Sequence, residues 1–254
     1  MTRIETRASA TQGLAAAESP RFADSPEAAR TLYDKRGFHI EPGLVPEGEC
    51  DRLLALALSR PNASDGSFRP IPMPHRDHPG FLAMMRFPPI VAIVERLVGG
   101  RASGIGGEFF YMRPGTPGFS AHQDNYYVAA PPDAFVSVWT PLCDVGPENG
   151  GLVFYPGSHK LGALPIRNGA MLSDIGQNPG AQAVECILPP DAPMLDLRMA
   201  KGSVVFFHGL LAHGSNANTS DRFRYSFLAT YIRAGAPFRA GQAQNRSEVE
   251  LHCT

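Results

Sequence analysis

The short sequence His122-Gln123-Asp124 places an imidazole and a carboxylate two positions apart, and His213 follows far downstream. On an extended strand, side chains at this spacing point to the same face. If a second imidazole arrives there from a distant strand, two nitrogens and one oxygen surround one side of a metal ion and leave three positions open. This set of ligands is typical of non-haem Fe(II) oxygenases. His122, Asp124 and His213 are therefore candidate iron ligands.

Arg224 begins an apolar stretch, residues 223–232, that is typical of a strand. On that strand Arg224 shares a face with Ser226, and an interior arginine is costly to desolvate unless an anion accompanies it. A guanidinium group binds a carboxylate through two parallel hydrogen bonds. We therefore predict that Arg224, with Ser226 beside it, binds 2-oxoglutarate as co-substrate of an O₂-dependent reaction. An internal salt bridge, or Arg222 in the same role, is the alternative.

A second His-x-Asp pattern occurs at residues 75–77 and is followed by His78. Pro72, Pro74 and Pro79 surround it, and proline cannot donate a hydrogen bond within a central strand. This context predicts a solvated turn at residues 75–78, and it separates the two candidate metal sites.

His208 competes with His213 for the role of the distant ligand, since both lie close to the end of an apolar strand. His213 is favoured because Gly214-Ser215 follow it and Arg224 lies in the next strand. His208 is then expected to be structural or to support a ligand. The remaining candidates have no companion ligands in the sequence; they are His159 and His252.

The composition excludes several classes of partner. Lys+Arg 23 and Asp+Glu 24 nearly cancel, and no basic run stands out. Nucleic acid and anionic membrane surfaces are therefore not expected as partners. No apolar run approaches the roughly 20 residues that span a bilayer. We expect a small-molecule substrate and a protein that is a monomer or a homodimer.

The cysteines lie far apart and form no CxxC pair; they are Cys50, Cys143, Cys186 and Cys253. A chain of 254 residues can bury a full core without disulfides, so reduced thiols and a cytoplasmic location are predicted. The N-terminus lacks the apolar segment of a secretory signal. We interpret residues 1–24 as a flexible tail and residues 25–254 as a single domain.

The periodicity of apolar residues predicts helices first and strands later. Helices are expected over residues 26–35, 46–59 and 88–98. Strands are expected over residues 107–113, 121–128, 135–142, 152–155, 183–188, 203–207, 210–213 and 223–232. Short strands without long helices between them favour a mainly β, two-sheet jelly roll of the cupin type, with the N-terminal helices packed on one outer face. The long segment 162–182 is expected to be a lid or a substrate loop.

Five sequence blocks in this order resemble the phytanoyl-CoA dioxygenase (PhyH) family of Fe(II)/2-oxoglutarate-dependent oxygenases. The blocks are Phe119-Ser120-Ala121-His122-Gln123-Asp124, Val138-Trp139-Thr140-Pro141-Leu142, Glu148-Asn149-Gly150-Gly151-Leu152 with Pro156-Gly157-Ser158-His159-Lys160, Lys201-Gly202-Ser203-Val204-Val205-Phe206-Phe207-His208-Gly209, and His213-Gly214-Ser215 with Arg224 downstream. The resemblance covers roughly residues 37–232. Such a series is far more specific than any single block.

The resemblance implies a double-stranded β-helix that holds one iron through His122, Asp124 and His213. It further implies that Arg224 and Ser215 bind the distal end of 2-oxoglutarate. Two aromatic residues would contact the same co-substrate; they are Trp139 and Phe109. Halogenating relatives replace the carboxylate ligand with a small residue, so Asp124 favours hydroxylation or a related oxidation, with release of succinate and CO₂. Family members act on acyl-CoA thioesters, compatible solutes, phosphonates and natural-product intermediates, which leaves the substrate open.

The residues expected to shape the substrate pocket are Tyr111, Arg113, Tyr126, Tyr127 and Arg167, together with the segment 162–182. If Arg113 or Arg167 reaches the pocket, an acidic substrate is favoured. A small metabolite or natural product fits the sequence better than a CoA ester, because long basic segments are missing. The alternatives are a cupin-type metalloenzyme that does not use 2-oxoglutarate and a non-catalytic binding barrel derived from the same fold.

Overall fold

The structure is a computed structural model that describes residues 14–15, 19–171, 182–242 and 244–252. The helices of the described residues are α1 (Pro26–Arg36), α2 (Glu47–Leu58), α3 (Pro61–Ser64), α4 (Pro79–Met85), α5 (Pro88–Val98) and α6 (Asn125–Val128). The strands are β1 (Leu14–Ala15), β2 (Phe38–Glu41), β3 (Ile71–Pro72), β4 (Ala102–Met112), β5 (Phe135–Pro141), β6 (Leu152–Phe154), β7 (Ile166–Met171), β8 (Gln182–Cys186), β9 (Leu195–Arg198), β10 (Val204–His208), β11 (His213–Ser215), β12 (Arg224–Arg233) and β13 (Val249–Glu250).

Helices α1, α2 and α5 lie where the periodicity predicted them. Helix α1 begins at Pro26 and ends at Gly37, whose φ of 85° belongs to the left-handed region that glycine adopts without a steric penalty. Helix α5 ends in the same way at Gly99, and its apolar residues form one continuous buried face. Helices α1 and α5 therefore end where the backbone adopts a conformation that a side chain disfavours.

The strands form a mostly antiparallel structure, as the sequence predicted. The larger sheet has the order β13-β4-β12-β5-β10-β2, with β3 paired to β4. The smaller sheet has the order β1-β9-β6-β11, and β7 pairs with β8 on its own. Only the short β1–β9 pair is parallel among the described strands.

At strands β4 and β12 the two faces of the larger sheet have different surroundings. Because side chains alternate along a strand, Phe109, Phe227 and Tyr231 point to one side, where they form a core with α4 and α5. Arg224 and Leu228 point to the other side, into a cavity. A second core joins residues of both sheets, including β2, β5 and β10 of the larger and β6 and β9 of the smaller. The cavity is thus held between two packed layers.

Residues 121–128 do not form the predicted strand. His122 makes an isolated antiparallel bridge with His213, and the chain then turns into α6 immediately after Asp124. The strand predicted over residues 210–213 is displaced and begins at His213. Within this segment only His122 pairs with another strand, and that pairing is enough to bring it beside His213. The residues after Asp124 can therefore turn into α6.

The turn at residues 75–78 is present but is not solvated throughout. Pro74–Arg76 form a 3₁₀ turn in which His75 is 5% exposed. His78 precedes α4, and its ring nitrogen accepts a hydrogen bond from the backbone of Gly80. The prediction of a solvated turn is therefore wrong for His75, which is buried, whereas Arg76 and Asp77 are exposed and His78 is partly exposed.

Two other predicted irregular segments contain structure. Part of the segment 162–182 is β7, while residues 172–181 lie outside the described residues. Within the predicted N-terminal tail, Phe22 is buried, and its backbone nitrogen donates to Glu41 at 2.6 Å. Residues 1–13 and 16–18 lie outside the described residues. The described helices include none that is long and apolar enough to cross a membrane.

Candidate metal centre and its cavity

Three candidate ligands from two distant parts of the chain converge at one side of the cavity. The ligand atoms of His122, Asp124 and His213 all lie within 4.8 Å of one another. The Nε2 atoms of the two histidines each lie 3.6 Å from Oδ1 of Asp124. Two imidazole nitrogens and one carboxylate oxygen are thus directed toward a common point, which is the arrangement that facial iron sites use.

Backbone hydrogen bonds bring the two histidines together. His122 and His213 exchange N–H···O bonds of 2.8 and 2.9 Å, and their ring centroids lie 4.3 Å apart. The next residue is Gly214, where a Cβ atom would lie 2.5 Å from the carbonyl oxygen of Phe119. Any larger residue would push the two segments apart. Glycine after His213 is therefore required for the distance between the ligands.

The two imidazoles are oriented by the same local device. Nδ1 of His122 lies 2.9 Å from the carbonyl oxygen of Ser120, and Nδ1 of His213 lies 3.0 Å from that of Leu211. A carbonyl oxygen can only accept, so each Nδ1 carries the proton and each Nε2 presents its lone pair. This is the tautomer that a metal ligand needs, and its orientation is fixed before any metal binds.

Asp124 is held by a residue that the sequence analysis did not single out. The hydroxyl of Ser137 donates to Oδ2 of Asp124 at 2.6 Å, which leaves Oδ1 directed at the two histidines. Ser137 lies on β5, two residues before Trp139, so both face the cavity side of that strand. The alternation of β5 was the one signal in the sequence that could have identified this serine.

The electrostatics of the cluster favour an ionised Asp124 carboxylate beside a neutral His213 imidazole. Burial by itself would raise the pKa of Asp124, but His213, His122 and the Ser137 hydroxyl lower it well below its usual range. Burial lowers the pKa of His213 to about 4, and the neighbouring His122 acts in the same direction. Burial would also lower the pKa of His122, but its hydrogen bond and attraction to Asp124 give a net increase. The charge that a divalent metal would neutralise is therefore present.

The ligands open into a cavity of about 490 Å³, a volume within the range of small-molecule sites. Trp139, Ser215 and Arg224 line this cavity together with the three candidate ligands. The structure therefore brings the residues predicted for metal and for co-substrate into one space.

Arg224 is buried, with 2% exposure, and is the strongest indication of an anion site. One terminal nitrogen donates to Ser226 at 2.6 Å, the other contacts the sulfur of Met112 at 2.9 Å, and Nε has no hydrogen-bond partner. The guanidinium carbon lies 5.6 Å from the centre of the Trp139 ring. Burial lowers the pKa of Arg224 to about 10, which still leaves it charged at neutral pH.

The alternatives considered for Arg224 do not fit the structure. None of the ion pairs among the described residues includes Arg224, so no internal carboxylate neutralises it. Arg222 is exposed. A buried cation without a protein partner is costly unless a ligand supplies the anion. The geometry therefore fits a carboxylate from outside the chain.

The other residues predicted for the co-substrate have different positions. Ser215 lines the cavity, and its hydroxyl oxygen accepts from the backbone of Phe119 at 3.0 Å. Ser226 is fully buried behind Arg224 and orients it, but it does not line the cavity. Phe109 points to the opposite face of β4, where it packs against Phe81. The prediction for Phe109 is wrong by one position of strand alternation, and Glu108 and Phe110 line the cavity instead.

Of the residues predicted to shape the substrate pocket, only Tyr127 lines this cavity. The Tyr111 hydroxyl donates to the carbonyl of Ala57 within the helical core, and Tyr126 is 43% exposed. Arg113 is exposed, and Arg167 pairs with Glu185 through two hydrogen bonds on the surface. None of these four side chains lines the cavity that holds the candidate ligands, although Arg167 lines a neighbouring cavity that shares Ser120 and Ser215 with it.

Several cavity residues were missed by the sequence analysis; they include Glu108, Arg239, Gln244 and Arg246. Glu108 could have been found, since it alternates with Phe110 on the predicted strand 107–113. The other three follow the last predicted strand, in a segment whose sequence carries no periodic signal. Only the folded chain shows that this segment returns to the cavity.

The remaining histidines stay outside the cluster of candidate ligands. Nδ1 of His208 accepts a hydrogen bond from the backbone of Leu210 at 3.0 Å, in agreement with its predicted structural role. The ring of His159 lies 5.2 Å from that of His208, and its Nε2 contacts the carbonyl of Asp34. His252 pairs with Glu95 on the surface. Among the described residues, only His122, Asp124 and His213 form a group that could hold a metal.

A mostly antiparallel β fold with a His-x-Asp…His cluster and a buried arginine defines a class of non-haem metal proteins. The family model of phytanoyl-CoA dioxygenase (PhyH) matches residues 33–226, which is more than half of the chain. The chain belongs to the phytanoyl-CoA dioxygenase family, as the sequence blocks predicted.

A probable phytanoyl-CoA dioxygenase of Caenorhabditis elegans is 28% identical over 163 residues, which cover 61% of this chain and 51% of that protein. The chain spans about a third to about half of the length of the curated relatives that it matches. The epimerase SnoN, solved in complex with Fe³⁺, alpha ketoglutarate and nogalamycin RO, has a TM-score of 0.68 at 21% identity, over 84% of this chain and 85% of that chain. The carbocyclase SnoK from nogalamycin biosynthesis has a TM-score of 0.67 at 23% identity, over 91% of both chains. The likeness to these structures shows a shared fold.

Proposed function

We propose that this protein is an Fe(II)/2-oxoglutarate-dependent dioxygenase. It would hydroxylate or otherwise oxidise an unactivated C–H bond of a small organic metabolite or natural-product intermediate, while 2-oxoglutarate is converted to succinate and CO₂. One observation carries the proposal. The candidate ligands His122, Asp124 and His213 and the buried Arg224, which has no carboxylate partner among the described residues, face the same cavity.

The donor set fits iron. His122 and His213 would bind it through Nε2 and Asp124 through Oδ1, since the other atoms of these side chains are already engaged. Bound iron, together with 2-oxoglutarate and O₂, would supply the oxidising chemistry. The protein's own part is to orient the ligands and to hold the reacting groups together in one cavity.

Arg224 and its neighbours fit the distal carboxylate of 2-oxoglutarate. Ser226 accepts a hydrogen bond from one terminal nitrogen of Arg224. Nε of Arg224 has no partner in the protein, so it is available to donate to an incoming carboxylate. Ser215 lies in the same cavity and can donate its hydroxyl proton. Trp139 contacts the guanidinium and restricts its position. SnoN, a structural neighbour, was solved with alpha ketoglutarate and Fe³⁺, which supports the same pair of cofactors here.

The finer description of the fold is part of this proposal. The two sheets share a core, which supports the walls of a double-stranded β-helix. Helix α5 contacts β4, β5 and β12, which supports helices packed on one outer face. SnoK comes from nogalamycin biosynthesis and SnoN was solved in complex with nogalamycin RO, which supports a natural-product intermediate as substrate. The cytoplasmic location, the single domain and the oligomeric state stay predictions.

The two alternatives explain the cavity less well. A cupin-type enzyme that does not use 2-oxoglutarate leaves Arg224 buried without an anion. In a non-catalytic barrel a complete set of ligands would have no purpose. Here hydrogen bonds orient both histidines and the carboxylate of Asp124 for metal binding.

The decisive experiment measures succinate formed from 2-oxoglutarate in the presence of Fe(II) and O₂. We expect succinate formation that requires both, because bound iron supplies the oxidising chemistry only together with O₂. Binding of 2-oxoglutarate, followed by the fluorescence of Trp139, the chain's only tryptophan, should require a divalent metal for full affinity. If 2-oxoglutarate neither binds nor is consumed, the proposal is wrong.

A further inference from the structure

The cavity has a second basic region, away from Arg224. Arg239 and Arg246 line it, and both belong to the segment between β12 and β13. The backbone nitrogen of Arg239 donates to the carbonyl of Val128 at 2.6 Å, which fixes this segment against α6. The segment therefore forms one wall of the cavity close to the residues that follow Asp124.

Neither guanidinium forms a direct ion pair with a carboxylate of the described residues, although Asp124 and Glu108 attract Arg246 over a longer distance. Arg239 donates one terminal nitrogen to the carbonyl of Tyr126 at 3.3 Å. Arg246 donates one terminal nitrogen to the carbonyls of Tyr127 at 3.5 Å and Ala240 at 3.4 Å. These long bonds use neutral acceptors, and the described residues contain no carboxylate that pairs with either arginine.

Exposed arginines of the described residues, such as Arg76, Arg113 and Arg222, also lack an ion pair, at no cost because water solvates them. Arg224 and Arg246 differ from these because they line the cavity and are buried or half-buried. Because Arg246 is half-buried, its pKa is lowered by burial, and a ligand anion would remove the cost of that burial.

The second basic region lies at a different position along the sheet from Arg224. Arg246 interacts electrostatically with Glu108, and Glu108 lies opposite Leu228 in the β4–β12 pair. Leu228 is four residues beyond Arg224, which corresponds to roughly 13 Å of strand. A five-carbon dicarboxylate held between iron and Arg224 therefore leaves the second region available.

Glu108 does not cancel the positive charge of this region. Burial and the nearby Asp124 raise the pKa of Glu108 to about 7, although Arg246 opposes the increase. Burial is the larger of the two causes and acts whether or not a metal offsets the charge of Asp124, so the ionised form of Glu108 is disfavoured relative to an exposed glutamate. The region offers two guanidinium groups and one hydrogen-bonding carboxyl.

We propose that Arg246, assisted by Arg239, binds an anionic group of the substrate that is oxidised. This inference rests on the proposed function and specifies its substrate class: a small molecule that carries a carboxylate or a phosphate. Arg246 contacts the backbone of Tyr127, and Tyr127 follows Asp124 by three positions, so an anion held there places the rest of the molecule beside the metal ligands. Acidic substrates were expected if Arg113 or Arg167 reached the pocket; a different pair of arginines does so.

The test uses the full chain loaded with Zn(II) and saturated with 2-oxoglutarate, so that Arg224 is occupied and no turnover occurs. Three probes of similar shape are compared by ligand-detected NMR: phenylacetate, phenyl phosphate and the neutral phenylacetamide. We expect at least one anion to bind about tenfold or more tightly than the amide, as charge-assisted bidentate contacts allow. Which anion binds better distinguishes a carboxylate from a phosphate substrate.

Variants assign the preference to the proposed residue. Arg246→Gln should reduce the ratio of anion to amide affinity to near one, Arg246→Lys should retain part of it, and Arg239→Gln should have a smaller effect. Arg222→Gln, an exposed arginine outside the cavity, should leave the ratio unchanged. Melting curves confirm that each variant is folded.

Two outcomes would overturn the inference. One is that wild-type protein binds the anions and the amide equally or binds none of them, and the other is that Arg246→Gln keeps the full preference. A failure of the proposed function is recognised separately, because Trp139 fluorescence would then show no metal-dependent binding of 2-oxoglutarate before any probe is added.

Discussion

Two segments of this chain, His75-Arg76-Asp77 and His122-Gln123-Asp124, offer an imidazole and a carboxylate at the same spacing. In the first segment His75 is buried, neither of its ring nitrogens has a hydrogen-bond partner, and Asp77 is exposed. Burial and the charge of Arg76 lower the pKa of His75 to about 4, so its ring is neutral at physiological pH. No third ligand lies near this pair among the described residues.

The second segment has the same residue types but different surroundings. His213 contributes a further nitrogen 3.6 Å from Asp124, and the Ser120 carbonyl orients His122. Ser137 orients the carboxylate. The spacing of two donor residues is therefore not sufficient to make a metal site. The third donor, and the hydrogen bonds that leave the right atoms available, make the difference.

The largest expected effect is the loss of activity on substitution of Asp124, compared with the same substitution of Asp77 in the first segment. Asp124→Ala should abolish iron-dependent succinate formation and strongly reduce the iron retained after desalting, because one of three ligands is lost. The fold should remain largely intact, since Asp124 lies at a cavity wall. Asp77→Ala is the matched control and should retain both iron and activity. Retained turnover in Asp124→Ala would show that the metal site has been assigned to the wrong residues.

The second prediction concerns Arg224, which lines the same cavity as His122 and Asp124 and is proposed to bind 2-oxoglutarate. Arg224→Ala should raise the Kd of 2-oxoglutarate by about 10- to 100-fold, because hydrogen bonds to a charged partner contribute about 1.5–3 kcal/mol. Quenching of Trp139 fluorescence during titration with 2-oxoglutarate measures the change. Arg222→Ala serves as the control and should bind 2-oxoglutarate normally. Unchanged affinity in Arg224→Ala would exclude Arg224 as the binding residue.

The third prediction tests whether the supporting hydrogen bond matters for the metal. Ser137→Ala should weaken metal affinity by about tenfold, at the lower end of the range for residues that orient ligands. Competition with a metal chelator measures the affinity. Ser103→Ala is a matched control, because Ser103 also donates to a carboxylate, Glu248, at 2.6 Å but far along the chain from the ligands. If the two variants bind the metal with equal affinity, Ser137 does not support the metal site.

The smallest expected effect is a pH dependence of stability caused by Glu108. Burial and Asp124 raise the pKa of Glu108 from 4.5 to about 7, so the folded metal-free protein binds a proton that the unfolded chain releases. This contribution is fully present below pH 4.5 and is lost as the pH rises through 7. Relative to Glu108→Gln, the wild-type Tm should therefore fall with rising pH. A shift of about 2–4 °C is expected, corresponding to roughly 1 kcal/mol after allowance for screening in the open cavity.

Differential scanning calorimetry of the metal-free proteins across this pH range provides the measurement. Glu108→Gln keeps the size and hydrogen-bonding capacity of the side chain but cannot titrate. If the two proteins show parallel Tm curves, Glu108 titrates normally and does not experience the field of Asp124. Adding a divalent metal should reduce the difference, because the metal offsets the negative charge of Asp124.

Much of the fold could be predicted where a local pattern is also the final arrangement. Helix α5 has a continuous apolar face and a glycine at its end, and it lies where it was predicted. Strand β12 alternates between the core and the cavity, so the direction of Arg224 followed from its position. The segment after His122 was mistaken for a strand, because its aromatic residues favour extended structure while tertiary contacts turn it into α6.

By itself, the sequence determined the family, the candidate ligands and the arginine for the co-substrate, because these depend on residue types in a specific order. Only the tertiary structure decided which atoms of those residues are available, since Ser137, Ser120 and Leu211 reach them through hydrogen bonds. It also decided that Arg239 and Arg246 face the cavity, where they have no carboxylate partner among the described residues. Their segment has no periodic pattern, and a side chain's charge acquires a function only through what lies opposite it in space.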